Sequence, residues 1–255
     1  MKKYGLKLYS TDYQKIAVVH QLVSEGLFDF VELYAFPETF RLYGEKWRGL
    51  KLPFVVHAAH SSHAMNLALK KNEKSNLKLY KEAAAFAYLL AAEKIIFHPG
   101  ISGTERETTR QLKKIHDKRA VIENKPCINL FGKRCVGSSY EGIKSIMQKT
   151  GCELCLDIGH LIKSCYLNDL DFWGELNKWL LLTPAIIHLN DGTTKSCFDD
   201  HLNFGKGDFP LSRIIERLKR YSRDLLITIE TPKSSNRWVG DVRRDFGYIL
   251  GKLGR

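Results

Sequence analysis

Leu154-Cys-Leu-Asp157-Ile-Gly-His160 is a short apolar run that stops on a carboxylate, with an imidazole three residues further on. A strand buried on both faces reads as such a run rather than as an alternation. Five more runs have the same form. Phe54-Val-Val ends at His57, Ile95-Ile-Phe97 at His98 and Ala120-Val-Ile122 at Glu123. Ala185-Ile-Ile187 ends at His188 and Ile227-Thr-Ile229 at Glu230. Two earlier strand candidates, Gly5 to Tyr9 and Phe30 to Tyr34, bring the number to eight.

Helical spacing fills most of the intervals. Ser75 to Ala92 places Leu77, Tyr80, Ala84, Ala87, Tyr88 and Ala91 on one stripe. Glu105 to Lys118, Tyr140 to Thr150, Leu170 to Leu181 and Leu211 to Ser222 are further helix candidates. Strands alternating with helices imply parallel βαβ units, and eight of them imply closure. The expectation is α/β, a single (β/α)8 TIM barrel over residues 1–255. An open doubly wound sheet is disfavoured, because no Gly-rich loop follows the first strand.

No Pro/Gly/Ser-rich linker divides the 255 residues. No apolar run is long enough to span a membrane. The start, Met1-Lys-Lys-Tyr-Gly5, lacks the apolar core of a secretory signal. Cys127, Cys135, Cys152, Cys155, Cys165 and Cys197 are then expected as reduced thiols in a cytoplasmic protein. Cys152 and Cys155 have the spacing of a metal or redox pair, but i and i+3 on a strand face opposite ways. The net charge of +12 favours a polyanionic partner, provided that basic residues flank a site.

Side chains at the carboxyl ends of barrel strands converge on one mouth. A single histidine after an apolar run is usually structural, and a single Asp or Glu there is commonly a helix cap. Six strand ends of one kind are a different matter, since unpaired buried carboxylates and imidazoles are costly unless shared cations neutralise them. His160 joins the group one turn past Asp157, and Asp199 and His201 sit at an i, i+2 spacing that shares a face in extended chain. Five His, two Asp and two Glu exceed one tetrahedral ion and suit two or three. Neutral imidazole with carboxylate suits Zn2+, with Mn2+ and Fe2+ as competitors.

The strings that carry these residues are His57-Ala-Ala59, Phe97-His-Pro-Gly100, Ile122-Glu-Asn124, Cys155-Leu-Asp-Ile-Gly-His160 and His188-Leu-Asn-Asp191. Asp199-Asp-His201 with Gly205-Lys-Gly207, and Ile229-Glu-Thr-Pro232, complete the set. In that order they resemble the endonuclease IV family of apurinic/apyrimidinic endonucleases, within the xylose isomerase-like superfamily. The resemblance implies three zinc ions, with Mn2+ a competitor at one site, and cleavage of DNA 5′ to abasic sites. It implies that His57, His98 and Glu123 hold one ion, and that Glu123, Asp157, His188 and Glu230 hold the second. His160, Asp199 and His201 would hold the third, and Glu123 or Glu230 would take the attacking water's proton. It further implies abasic DNA as the partner, with no membrane and no obligate protein partner, for a monomer.

The chain departs from the family pattern in three places. Ala58-Ala-His60 stands where Ala-Pro-Tyr is usual, and Tyr4-Gly-Leu-Lys-Leu-Tyr-Ser10 lacks the histidine of Gly-x-His-x-Ser. After the second strand, Arg41 stands in for the arginine of a DNA-inserting loop. Substrate contacts are expected from His60, Arg41 and Lys206, and Phe36, Phe40, Tyr43 and Trp47 are candidates for stacking on a nucleotide. A divalent-metal sugar or sugar-phosphate isomerase or epimerase is the alternative. It would need Glu123, Asp157, His188 and Glu230 but not the other five ligands. A barrel that binds nucleic acid without cleaving it is a third reading.

Overall fold

The computed structural model describes residues 1–253. Strands β1 (Lys2–Tyr9), β2 (Phe30–Tyr34), β3 (Phe54–His57) and β4 (Ile95–Phe97) are followed by β5 (Ala120–Glu123), β6 (Glu153–Asp157), β7 (Ile186–Leu189) and β8 (Leu225–Ile229). Each pairs in parallel with its sequence neighbour, and β1 pairs with β8, so the sheet closes as the TIM barrel that the alternating pattern predicts. The helices are α1 (Ile16–Ser24), α2 (Phe40–Arg48), α3 (Glu73–Leu89), α4 (Glu105–Ile115), α5 (Tyr140–Thr150), α6 (Ile158–Leu167), α7 (Phe172–Leu180), α8 (Leu211–Lys219) and α9 (Trp238–Leu253). No described helix is long and apolar enough to cross a membrane.

The barrel interior is layered with the two-residue period of a strand. Phe30, Val55, Ile96, Val121, Cys155 and Ile186 form one buried apolar plug, separate from the larger core between strands and helices. Two residues further along the same strands stand Glu32, His57, His98, Glu123, Asp157 and His188. One pleat therefore separates a dry floor from a polar layer above it. Closing the floor needs a residue without a side chain on β1. A Cβ at Gly5 would lie 2.3 Å from the Phe30 ring, so the ring fills the space that only glycine leaves.

Helix ends follow local chemistry. Thr104 accepts from the Glu107 amide (3.2 Å) to start α4, and Ser139 accepts from the Gly142 amide (3.2 Å) to start α5. Gly151, in the left-handed region at φ 75°, ends α5. The segment after β2 differs from the expected loop, because Phe40–Arg48 is helical. Three of its aromatic rings pack locally. Trp47 is buried and donates to the Ser10 carbonyl (2.9 Å), Phe40 meets Phe86 edge-on, and Tyr43 stacks on Tyr13.

Candidate metal centre

The nine candidate ligands form one connected network at the mouth. His57 Nε2 lies 3.2 Å and His98 Nε2 3.0 Å from Glu123 Oε2. His188 Nδ1 lies 3.5 Å from that same oxygen and 2.9 Å from Glu230 Oε1. His160 Nε2 is 3.1 Å from Asp199 Oδ2, and His201 Nε2 is 3.2 Å from Asp199 Oδ1. Asp157 Oδ2 lies 3.5 Å from His160 Nδ1 and 3.9 Å from His188 Nδ1. Donor atoms lie within 4.8 Å of one another in His57/His98/Glu123, in Asp157/His160/His201, in Glu32/His188/Glu230 and in Glu123/Cys155/His188. The first is one of the expected sets. In the others Asp157 groups with His160 and His201, and Glu32 and Cys155 join His188.

The far nitrogens of four of these imidazoles are anchored. His57 Nδ1 donates to the Ala58 carbonyl (2.7 Å), His160 Nδ1 to the Asn124 carbonyl (2.8 Å) and His201 Nδ1 to the Glu230 carbonyl (2.7 Å). His188 is turned the other way, and its Nε2 donates to Glu32 Oε2 (2.8 Å). Each of these hydrogen bonds fixes a proton on the outer nitrogen and turns the inner one on the carboxylates. Metal-ligating histidines are held in this way. His188 Nδ1, Asp157 Oδ2 and Asp199 Oδ1 are buried with only other members of the cluster near them and no aligned hydrogen bond, an arrangement that suits a shared ion. Asp157 has two roles, since its Oδ1 caps α6 by accepting from the His160 amide (2.8 Å).

Charge balance points the same way. Glu32, Glu123, Asp157, Asp199 and Glu230 face two ammonium groups. Lys7 pairs with Glu230 and lies 3.2 Å from Glu32, and Lys125 Nζ lies 3.3 Å from Glu123 Oε1 and 3.1 Å from His160 Nε2. The remaining negative charge draws protons onto imidazoles. Burial opposes a charge on His201, yet Asp199 outweighs it and holds the imidazole up at about 10. Burial likewise opposes the His188 cation, and Cys155, Glu230, Glu32 and Glu123 raise it well above its usual value. His98 goes the other way. Burial takes it down to about 3, Lys125 adds to the effect and Glu123 opposes it, so this ring is neutral and free to ligate. Carboxylates in excess of ammonium groups, beside imidazoles whose inner nitrogens would exchange a proton for a cation, fit divalent zinc.

Lys7 and Glu32 were not among the expected site residues. The signal for Glu32 is a charged residue inside the apolar run Phe30–Tyr34, and for Lys7 a charge flanked by Leu6 and Leu8. Of the expected substrate contacts, His60 lines a cavity of about 750 Å³ over the site and stacks on the His98 ring at 4.9 Å. Arg41, on α2, and Lys206, in the loop before α8, are exposed and do not line that cavity. The loop carrying Asp199 and His201 is fastened to α6 by buried Lys163, which pairs with Asp200 and donates to the Thr193 carbonyl (2.6 Å).

Endonuclease IV from Thermus thermophilus shares this fold at 20% identity and TM-score 0.72, with 99% of each chain covered. A D-tagatose 3-epimerase-like protein is as similar in structure, at 18% identity and TM-score 0.72, covering 99% of this chain and 97% of that one. The 3-keto-D-glucoside 4-epimerase of E. coli superposes with TM-score 0.73 at 10% identity, over 98% of this chain and 100% of that one. No curated protein matches the sequence. Residues 20–249 match the sequence model of one family, and the chain belongs to it: the Xylose isomerase-like TIM barrel family.

Proposed function

We propose that this chain is a metal-dependent phosphodiesterase that cleaves DNA 5′ to abasic sites, as the endonuclease IV resemblance implies. One observation carries the reading: four histidines have their outer nitrogens anchored and their inner nitrogens turned on a shared set of carboxylates. His57, His98 and Glu123 would hold one zinc, Glu123, Asp157, His188 and Glu230 a second, and His160, Asp199 and His201 a third. Divalent ions supply an activated water near neutral pH and a clamp for the attacking and departing oxygens of an in-line displacement.

The chain's own residues do the rest. Burial opposes charge on Glu123 and Glu230, but Lys125 with His188, and His188 with Lys7, keep both carboxyls well below the usual range. Each is therefore ionised, the state a carboxylate must be in before it takes the attacking water's proton. Lys7, Lys125 and His60 line the cavity where a phosphate would enter, and ammonium groups there suit an anionic backbone.

Fold likeness to the 3-keto-D-glucoside 4-epimerase and the D-tagatose 3-epimerase-like protein favours a second reading, a divalent-metal sugar or sugar-phosphate isomerase or epimerase using Glu123 and Glu230 beside the transferred hydrogen. That chemistry leaves His57, His98, His160, Asp199 and His201 without a purpose as a set. The test is cleavage of a duplex with one abasic site. Glu123→Gln should lower the rate by about a hundredfold or more while duplex binding survives. Unchanged cleavage by the variant would remove Glu123 from the mechanism. A wild-type protein that leaves the duplex intact and epimerises a ketose would establish the second reading.

A further inference from the structure

The loop after β5 is a stiff finger with an apolar tip. Asn129 organises it. Its backbone amide donates to the Lys133 carbonyl (2.9 Å), and its carbonyl accepts from the Gly132 amide (2.9 Å). Its Oδ1 accepts from the Phe131 amide (3.0 Å) and the Lys133 amide (2.9 Å). Gly132 takes the left-handed conformation the turn needs, at φ 70°. Below the tip, Ile128 bridges Arg134 in antiparallel fashion, and Cys135 bridges Ile101 of the neighbouring loop. The Ser102 amide donates to the Arg134 carbonyl (2.9 Å), which ties the finger to the loop after β4.

A finger braced in this way presents Leu130 and Phe131 to water, at 65% and 83% exposure. Both side chains line the cavity over the metal centre. Lys133 and Arg134, exposed, follow directly, and Lys125 at the base of the same loop faces Glu123. Tyr9, at the end of β1 across the closed barrel from β5, lines the same cavity. Apolar side chains on a rigid turn, flanked by cations at the rim of a site, have the form of a wedge that enters a base stack while basic neighbours hold the phosphates. The segment after β2, expected to supply such an element with Arg41, is a helix whose arginine lies outside the cavity.

The geometry points to Leu130 and Phe131 as the element that enters duplex DNA at the gap left by a missing base. The assignment rests on the phosphodiesterase reading and names the surface that recognises its substrate. A lesion already lacks one stacked base, so filling its place costs less there than in intact duplex. The net charge of +12 and the cations flanking the tip favour a polyanionic occupant over an apolar protein surface.

The test uses the full chain loaded with zinc and a duplex carrying 2-aminopurine beside a single abasic site. Wild-type binding should raise the 2-aminopurine fluorescence as the neighbouring base unstacks. The Leu130→Ser/Phe131→Ser double variant should lose that rise and cleave the abasic duplex roughly tenfold more slowly or worse. Its zinc content should match the wild type, because neither side chain offers a ligand atom. The salt dependence of its binding should also keep the wild-type slope, because no cation has been removed. A double variant that keeps both the fluorescence rise and the wild-type rate would overturn the wedge while leaving the phosphodiesterase reading intact. A wild-type protein that neither unstacks nor cuts the duplex would overturn both. A variant that changes the sedimentation of the free protein, with cleavage unaffected, would make the tip a contact between copies and not a DNA element.

Discussion

Glu32 sits in the middle of an apolar strand, is fully buried, and accepts hydrogen bonds from His188 Nε2 (2.8 Å) and Thr228 Oγ1 (2.7 Å). A charge in such a place needs a function or a partner, and Glu32 has both. It fixes the His188 tautomer, and Lys7 neutralises part of its charge. Glu32→Gln should weaken zinc at the His188 set by about tenfold to a hundredfold, the usual effect of losing an outer partner of a ligating histidine. A chelator-competition titration reads this directly, and unchanged affinity would show that the His188 tautomer is set elsewhere. Reading only strand ends misses Glu32 and Lys7. On strands that end in Tyr34 and Tyr9, their side chains join the polar layer from inside the strand.

At the scale of elements, the six strands that end on His, Asp or Glu were legible because each is short, buried on both faces and cut off by a polar residue. Both β2 and α5 run over their expected bounds, Phe30–Tyr34 and Tyr140–Thr150, whereas β1 starts three residues early, at Lys2. Helices α1, α2, α6 and α9 lie outside the helix candidates of the sequence. In α2 the apolar stripe is made of aromatic residues, Phe40, Tyr43 and Trp47, that also suit a binding loop. Only tertiary packing against Phe86, Tyr13 and Ser10 decides between the two. The inner plug makes its own prediction. Gly5→Ala should cost about 1–3 kcal/mol in urea unfolding, because the new methyl group meets the Phe30 ring. Phe30→Leu in the same chain should restore part of the loss, as expected of residues in direct contact. A neutral Gly5→Ala would show that the floor is looser than its geometry.

At the scale of the whole molecule, closure of the barrel turns a linear pattern into a site. Residues from His57 to Glu230 meet because eight parallel strands place their carboxyl ends on one rim. The period-two interior separates an apolar plug from a layer with more carboxylates than ammonium groups. That imbalance is the physical basis for expecting ions, and the sequence carries it as apolar runs that stop on His, Asp or Glu. The loops around the rim were less legible, since their composition gives charge but not direction. Lys125 turns into the centre, whereas Lys206 turns to solvent.

The metal centre underlies all of the proposed chemistry, and metal content per chain tests it most directly. Elemental analysis of protein purified without chelator should find close to three zinc ions, and removal of the metal should abolish cleavage of an abasic duplex until zinc is returned. A single divalent ion, or none, in a folded protein would contradict a centre built for three.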